Sequence, residues 1–190
     1  MVLALAGLVL PSASLGPAPG SFIDVTPADP VELVVPSIEL KSKVIPIDTD
    51  PNDVLHPPAD VRLVGWWKDS AKPGANHGQT LITGHTVHSG GGVMDRMGDV
   101  KPGDRVQVIT GEAKLNYKVR EVKVFTIAQV AEHAADLFGQ DRERGRLVLV
   151  TCTDWKNGKY QKNIIVFADP DGVHTEEITP TDTPVEAMAR

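Results

Sequence analysis

Eight short runs rich in Val, Ile, Leu and Thr, each closed by Pro, Gly, Asp or Asn, limit what this chain can fold into more than any other feature. They lie at residues 31–35, 43–47, 62–66, 80–83, 105–110, 115–125, 147–150 and 163–168. β-Branched residues pack well on a pleated surface, and the punctuating residues favour turns, so each run reads as a strand. The longest, around Asn116-Tyr117-Lys118-Val119-Arg120, alternates polar and apolar side chains and predicts a half-buried strand that bends or divides. One segment, 128–138, carries helical signals, with Thr126 placed to cap it and Gly139 to end it. A second short helical piece is expected at 92–97. No repeat is visible. Eight short strands with one or two short helices predict a mainly β fold, an eight-stranded closed or nearly closed barrel.

Composition agrees with a single such domain and narrows its partners. With 41% apolar residues in 190, the barrel region can enclose one sizeable core. A net charge of −6, with no lysine before Lys41 and no basic stripe, argues against nucleic acid as a partner. Residues 1–10 are unbroken apolar sequence ending at Pro11, followed by a Pro/Ser/Gly-rich spacer. Ten helical residues span about 15 Å, half of a bilayer core. No basic residue precedes them, as a secretory signal requires. The segment therefore reads either as a signal h-region or as the remaining half of a signal-anchor. The expected organisation is 1–28 for this leader and spacer, 29–170 for the barrel, and 171–190 for a loosely ordered acidic Thr/Pro-rich tail.

Chemistry centres on the only cysteine, Cys152. It follows Leu147-Val148-Leu149-Val150-Thr151 and precedes Thr153-Asp154-Trp155-Lys156-Asn157-Gly158, where turn residues take over. The thiol is thus expected at the C-terminal end of a strand, beside a loop. A lone cysteine can form neither an intramolecular disulfide nor a thiolate-rich metal site. Two readings stay open: an inert buried thiol, or a reactive one. His85 bears on the choice, because it follows another apolar run and Gly84. A strand-end imidazole beside a strand-end thiol would form a nucleophile and its proton partner. Taken alone, His85 reads as a hydrogen-bonded loop residue, and it is the joint pattern with Cys152 that points to chemistry. His77, His85 and His88 lack the paired spacing of a zinc site. Gly90-Gly91-Gly92 reads as flexible loop and lacks the residues of a phosphate cradle. The stretch from Asp48 to Asp53 lacks the glycine and glutamate of a calcium loop and reads as a turn. Trp66 and Trp67 must face opposite ways if extended, one into the core.

Several of these segments together resemble the sortases, cysteine transpeptidases of Gram-positive cell surfaces. Thr83-Gly84-His85 and Leu149-Val150-Thr151-Cys152 are similar to the family's two signature segments. Val34-Val35-Pro36-Ser37-Ile38 resembles its first strand. Val64-Gly65-Trp66-Trp67 with Lys72-Pro73-Gly74 and Gly78 resembles the approach to the histidine in actinobacterial class F members. The stretch from Met94 to Asp104 resembles the "F.RL..L.PGD" segment, and that from Tyr160 to Ala168 the last strand. The resemblance covers about residues 32–169, in family order.

It implies that Cys152 attacks an LPxTG-like sorting-signal peptide of a secreted protein and His85 serves as acid and base. The acceptor would be an amine such as a peptidoglycan precursor. A membrane anchor, the extracytoplasmic face of the cell membrane, and chemistry needing neither metal nor cofactor are implied as well. Sortases generally carry an arginine on the final strand, and here that stretch holds none. Asn163 stands in the equivalent position, with Arg96 as another possible source of the missing group and the Thr153 backbone N–H as a further oxyanion donor. Thr151, Asp154 and Trp155 are expected to line the substrate pocket. The rival expectation is a non-catalytic β-barrel binding or scaffold module in which Cys152 is inert.

Overall fold

Each of the eight apolar runs forms a strand. The computed structural model describes residues 25–174, so the expectations for the apolar leader and most of the acidic tail lie outside the described residues. The strands are β1 (Pro30–Val35), β2 (Leu40–Ile47), β3 (Val64–Trp67), β4 (Gln79–Gly84), β5 (Arg105–Thr110), β6 (Lys114–Thr126), β7 (Arg146–Lys156) and β8 (Lys159–His174). They hydrogen-bond in the order β1-β2-β3-β4-β7-β8-β6-β5, and β5 returns to β1 to close the barrel. Closure leaves no sheet edge unpaired. Two pairs, β2 with β3 and β4 with β7, are parallel, and the others are antiparallel.

Alternation sorts side chains between the interior and the outer surface. Leu33 and Val35, Val106 and Val108, Leu115, Tyr117 and Val119, Leu147 and Leu149, and Val166 and Ala168 point into the barrel core. Their neighbours Val148, Ile165 and Phe167 point outward and form a second cluster with Leu137. Strands β7 and β8 are therefore buried on both faces at this level. That explains why 147–150 and 164–167 are continuously apolar while β6 alternates. Trp66 sits in the core and Trp67 turns to a half-exposed position. At the Asp48–Asp53 stretch, the Asp50 carboxylate accepts from the backbone N–H groups of Asn52 and Val54, a local turn.

The outer cluster is roofed by two short helices, α1 (Ile127–Glu132) and α2 (Ala134–Phe138), where the sequence suggested one. The break falls at His133, whose φ of −100° and ψ of 14° end one helix and start the other. A straight helix would carry its apolar positions past the sheet; the bend lets Leu137 descend onto Val148 and Ile165. Thr126 caps α1 as expected, in a reciprocal box. Its hydroxyl accepts from Gln129 N, and the Gln129 amide oxygen accepts from Thr126 N. The helical piece anticipated at 92–97 is instead a 3-10 turn at Met97–Asp99.

A second difference concerns the segment after Cys152. Strand β7 continues through Lys156, and β8 begins at Lys159, so Cys152 lies inside a strand and not at its end. Asn157 and Gly158 form a two-residue hairpin with φ of 52° and 77°. Both residues tolerate positive φ, and the resulting turn matches the twist of the flanking strands. Polar residues misled the local reading; cross-strand pairing of Trp155 with Tyr160 and Lys156 with Lys159 keeps the chain extended.

A buried arginine ties the helix roof to the barrel. Arg146 is 5% exposed, and its guanidinium donates to Gln79 Oε1 at 2.8 Å and to the Asp136 carbonyl at 2.6 Å. Its carbon centre lies 4.4 Å from the Phe167 ring centroid. Replacing Arg146 with Ala would leave buried Gln79 Oε1 without its donor, at about 1–3 kcal/mol, and the Asp136 carbonyl with only the longer bond from Gln79 Nε2. The exposed Arg120–Asp169 pair should contribute only about 0–1 kcal/mol. Chemical denaturation of Arg146→Ala and Arg120→Ala checks this ordering; equal losses would contradict it.

Candidate active site

The site is set by one parallel pairing. Strand β4 runs alongside β7 in a register that ends with Thr83 opposite Val150. Carried two residues further, the same register sets Gly84 beside Thr151 and His85 beside Cys152. Neighbouring strands lie about 4.8 Å apart, so this continuation leads the chain at His85 toward the strand that carries Cys152. Thr151 supports this continuation: its hydroxyl donates to the Gly84 carbonyl at 2.8 Å. The Thr86 hydroxyl is 2.9 Å from the same Thr151 oxygen. The residue before Cys152 thus grips both neighbours of His85. Thr151 is only 2% exposed, and its hydroxyl is engaged in this bridge.

On the other side of β7, Cys152 is paired directly with Asn163 of β8. The Asn163 amide nitrogen is 3.8 Å from Cys152 Sγ and 3.4 Å from the Thr151 carbonyl oxygen. His85 Nε2 is 2.9 Å from the Pro58 carbonyl. A carbonyl only accepts, so Nε2 carries the hydrogen in this contact.

The loop after His85 is tightly built. Asp95 accepts from Val87 N at 2.6 Å and from Gly92 N at 2.9 Å, and Met94 N donates to His85 O at 2.9 Å. A Cβ on Gly92 would meet Asp95 Oδ1 at 2.5 Å and His85 O at 2.6 Å. Only glycine fits there, so the last residue of the Gly90-Gly91-Gly92 run is a packing requirement, whereas the first two have open space around them.

The sortase domain family matches residues 33–171, a span that includes both β4 and β7 and runs to the end of the barrel. The chain belongs to the sortase family. Solved structures share its fold. Sortase C-1 of Actinomyces oris is 23% identical over 75% of each chain, with a TM-score of 0.56. Sortase A of Listeria monocytogenes is 18% identical over 76% of this chain and 88% of its own, with a TM-score of 0.57. The pilus-related sortase C of Group B Streptococcus is 19% identical over 78% of this chain and 69% of its own, with a TM-score of 0.58. Among curated proteins, none matches.

Within this sortase the remaining expected site residues fall into distinct places. Arg96 is half-exposed and held elsewhere: its guanidinium lies 3.0 Å from Glu39 and 3.3 Å from Asp99, and also donates to the Ile38 carbonyl. Asp154 adopts φ of 60° within β7, with its carboxylate 2.9 Å from Lys156 Nζ and 3.0 Å from Lys162 Nζ. Those hydrogen bonds hold its carboxyl below the usual range. Thr153, opposite Lys162, is half-buried. Trp155 is 40% exposed, stacked on His88 with ring centroids 4.1 Å apart. Pro58, Thr86, His88 and Tyr160 carried no sequence signal for this site. Pro58 contributes only a backbone oxygen, which any residue could supply. Tyr160 becomes visible once Asn157-Gly158 is read as a hairpin turn, since that sets it opposite Trp155.

Two opposing influences act on the thiol. Burial raises the pKa of Cys152 by penalising the thiolate, and the Asn163 amide lowers it by donating toward sulfur. Loss of Asn163 leaves burial unopposed, so Asn163→Ala should raise the pKa further. Cys152 being the sole thiol, its alkylation by iodoacetamide can be followed directly by mass spectrometry against pH. The rate midpoint should move to higher pH in Asn163→Ala, with slower alkylation at neutral pH. A midpoint moving downward would contradict the assignment.

Proposed function

We propose that this sortase is a cysteine transpeptidase, of class F type, that cleaves LPxTG-like sorting signals and joins the new carboxyl end of the N-terminal fragment to an amine. The observation that supports it best is the pairing of Cys152 with Asn163 across β7 and β8, beside a β4–β7 register whose continuation leads to His85. The substrate class is a secreted protein carrying the signal near its C-terminus. Pilins are one such class, given the pilus-related sortase C among the similar structures. The acceptor is a cell-wall amine such as a peptidoglycan precursor, and the enzyme works on the extracytoplasmic face of the membrane.

The Cys152 thiolate attacks the Thr–Gly carbonyl, forming a C–S bond and a tetrahedral oxyanion. Collapse breaks the C–N bond as the His85 imidazolium gives its proton to the departing glycine amine. The resulting thioacyl-enzyme is attacked by the incoming amine, whose proton returns to His85, and the C–S bond breaks to restore the thiolate. Burial of the thiol disfavours its thiolate form. Asn163 Nδ2 and the Thr153 backbone N–H steady the oxyanion. An amide does so without the charge assistance of a guanidinium. Arg96 takes no part, because its charge is already satisfied by Glu39 and Asp99.

Fluorogenic sorting peptides, with and without an amine acceptor, test the proposal. Cys152→Ala and His85→Ala should each reduce turnover to background by comparable factors, since the two act as a unit. Asn163→Ala should slow the chemical step by roughly 10² to 10³, the range for one oxyanion donor. Arg96→Ala should stay close to wild type. Crippling by Arg96→Ala in a folded variant would move the oxyanion role to that residue. No turnover by the wild type, with Cys152 alkylated only after unfolding, would instead favour the non-catalytic barrel module.

A further inference from the structure

We infer that the tip of the β7–β8 hairpin is an aromatic clasp that holds the His85 loop against the Cys152 strand, with Trp155 and Tyr160 as positioning residues. The inference rests on the reading of His85 and Cys152 as the reacting pair.

The geometry begins with the hairpin itself. Asn157-Gly158 sets Trp155 opposite Tyr160, and their rings meet edge to face with centroids 4.8 Å apart and planes at 67°. Each ring then reaches the same short segment. Trp155 stacks on His88 at 4.1 Å with planes 1° apart. The Tyr160 hydroxyl donates to the Thr86 carbonyl at 2.6 Å. Both partners belong to the three residues that follow His85. An aromatic pair and a neutral hydrogen bond each contribute a modest free energy beyond area burial. Those energies are too small to decide whether a barrel folds, yet large enough to set the population of one loop position.

The hairpin is aimed at that loop by Asp154. A non-glycine residue with φ of 60° inside a strand is strained, although aspartate tolerates it better than most residues. It redirects β7 between Cys152 and Trp155, and Lys156 and Lys162 hold its carboxylate from both sides. The core explains none of this, since Trp155 is 40% exposed. Thr151 pins Gly84 and Thr86 from the strand side, and Asp95 pins Val87 from within the loop. The clasp supplies the third hold, from the hairpin, so that His85 is fixed on a frame shared with Cys152. A displacement of 1 Å at a reacting group can cost on the order of 10² in rate, which gives such a hold its consequence.

Tyr160→Phe, Trp155→Ala and Trp155→Phe, each measured in the full chain, test the inference. The readouts are kcat and KM on a fluorogenic sorting peptide, amide hydrogen exchange of the peptide containing Thr86–His88, and the global unfolding midpoint. Tyr160→Phe removes one hydroxyl only. It and Trp155→Ala should lower kcat about tenfold with KM nearly unchanged. Exchange at Thr86–His88 should quicken by a similar factor, without matching loss of global stability. Trp155→Phe, which retains a stacking ring, should restore most of both losses. Unchanged exchange would overturn the clasp. So would a rise in KM alone, which would make Trp155 a substrate contact, and so would losses that track global unfolding. If the wild type turns over no sorting peptide but exchange responds as expected, the clasp stands and the transpeptidase reading falls.

Discussion

The parallel pairing of β4 with β7 is the constraint on which the rest of this molecule depends. Parallel neighbours cannot be joined by a tight turn and need a long crossover. Here the crossover contains β5, β6 and both helices, and it closes the barrel on its way round. The pairing buries Leu81, Ile82, Leu147, Val148 and Leu149 completely. It also aligns the ends of two apolar runs that are far apart in the chain. The register leads from Thr83 opposite Val150 toward His85 and Cys152, and a slip of one residue would turn the side chains of either strand to the other face.

Double-sided burial of β7 and β8 then shapes the chemistry. Strands held by a core on one face and by helices on the other offer a rigid floor, and rigid elements hold a reacting group better than loops do. The same burial opposes ionisation of the Cys152 thiol, so the floor that fixes the thiol also holds back its charge. Asn163 is the compensating group, paired with Cys152 by the antiparallel register and not by proximity in sequence. The group facing the sulfur here is an amide, which donates without a charge. Among its arginines, Arg96 is tied to Glu39 and Asp99, and Arg146 to the helix roof.

Much of the fold could be read from the chain. The eight runs mark the eight strands, with the 105–110 run matching β5 at both ends, because β-branched residues between turn formers are a local signal that tertiary packing reinforces. The Thr126 cap was equally legible, since a capping box is a property of four consecutive residues. The helix break at His133 was not, because nothing local demands it; Leu137 must reach the outer cluster, and that cluster is made by distant strands. The end of β7 was misjudged for a related reason. Thr153 to Lys156 look like loop residues, and only pairing with β8 keeps them extended.

By itself the sequence determined the number of strands, the family, and the two residue types that could do thiol chemistry, because each is encoded in short contiguous patterns. Only the tertiary structure decided what surrounds them. The Pro58 carbonyl at His85, the Thr151 hydroxyl between Gly84 and Thr86, Asn163 against the sulfur, and the Trp155–Tyr160–His88 cluster all come from separate segments. Contacts of that kind depend on strand register and barrel closure, which arise from the summed burial of side chains along the whole chain. No local window contains that sum.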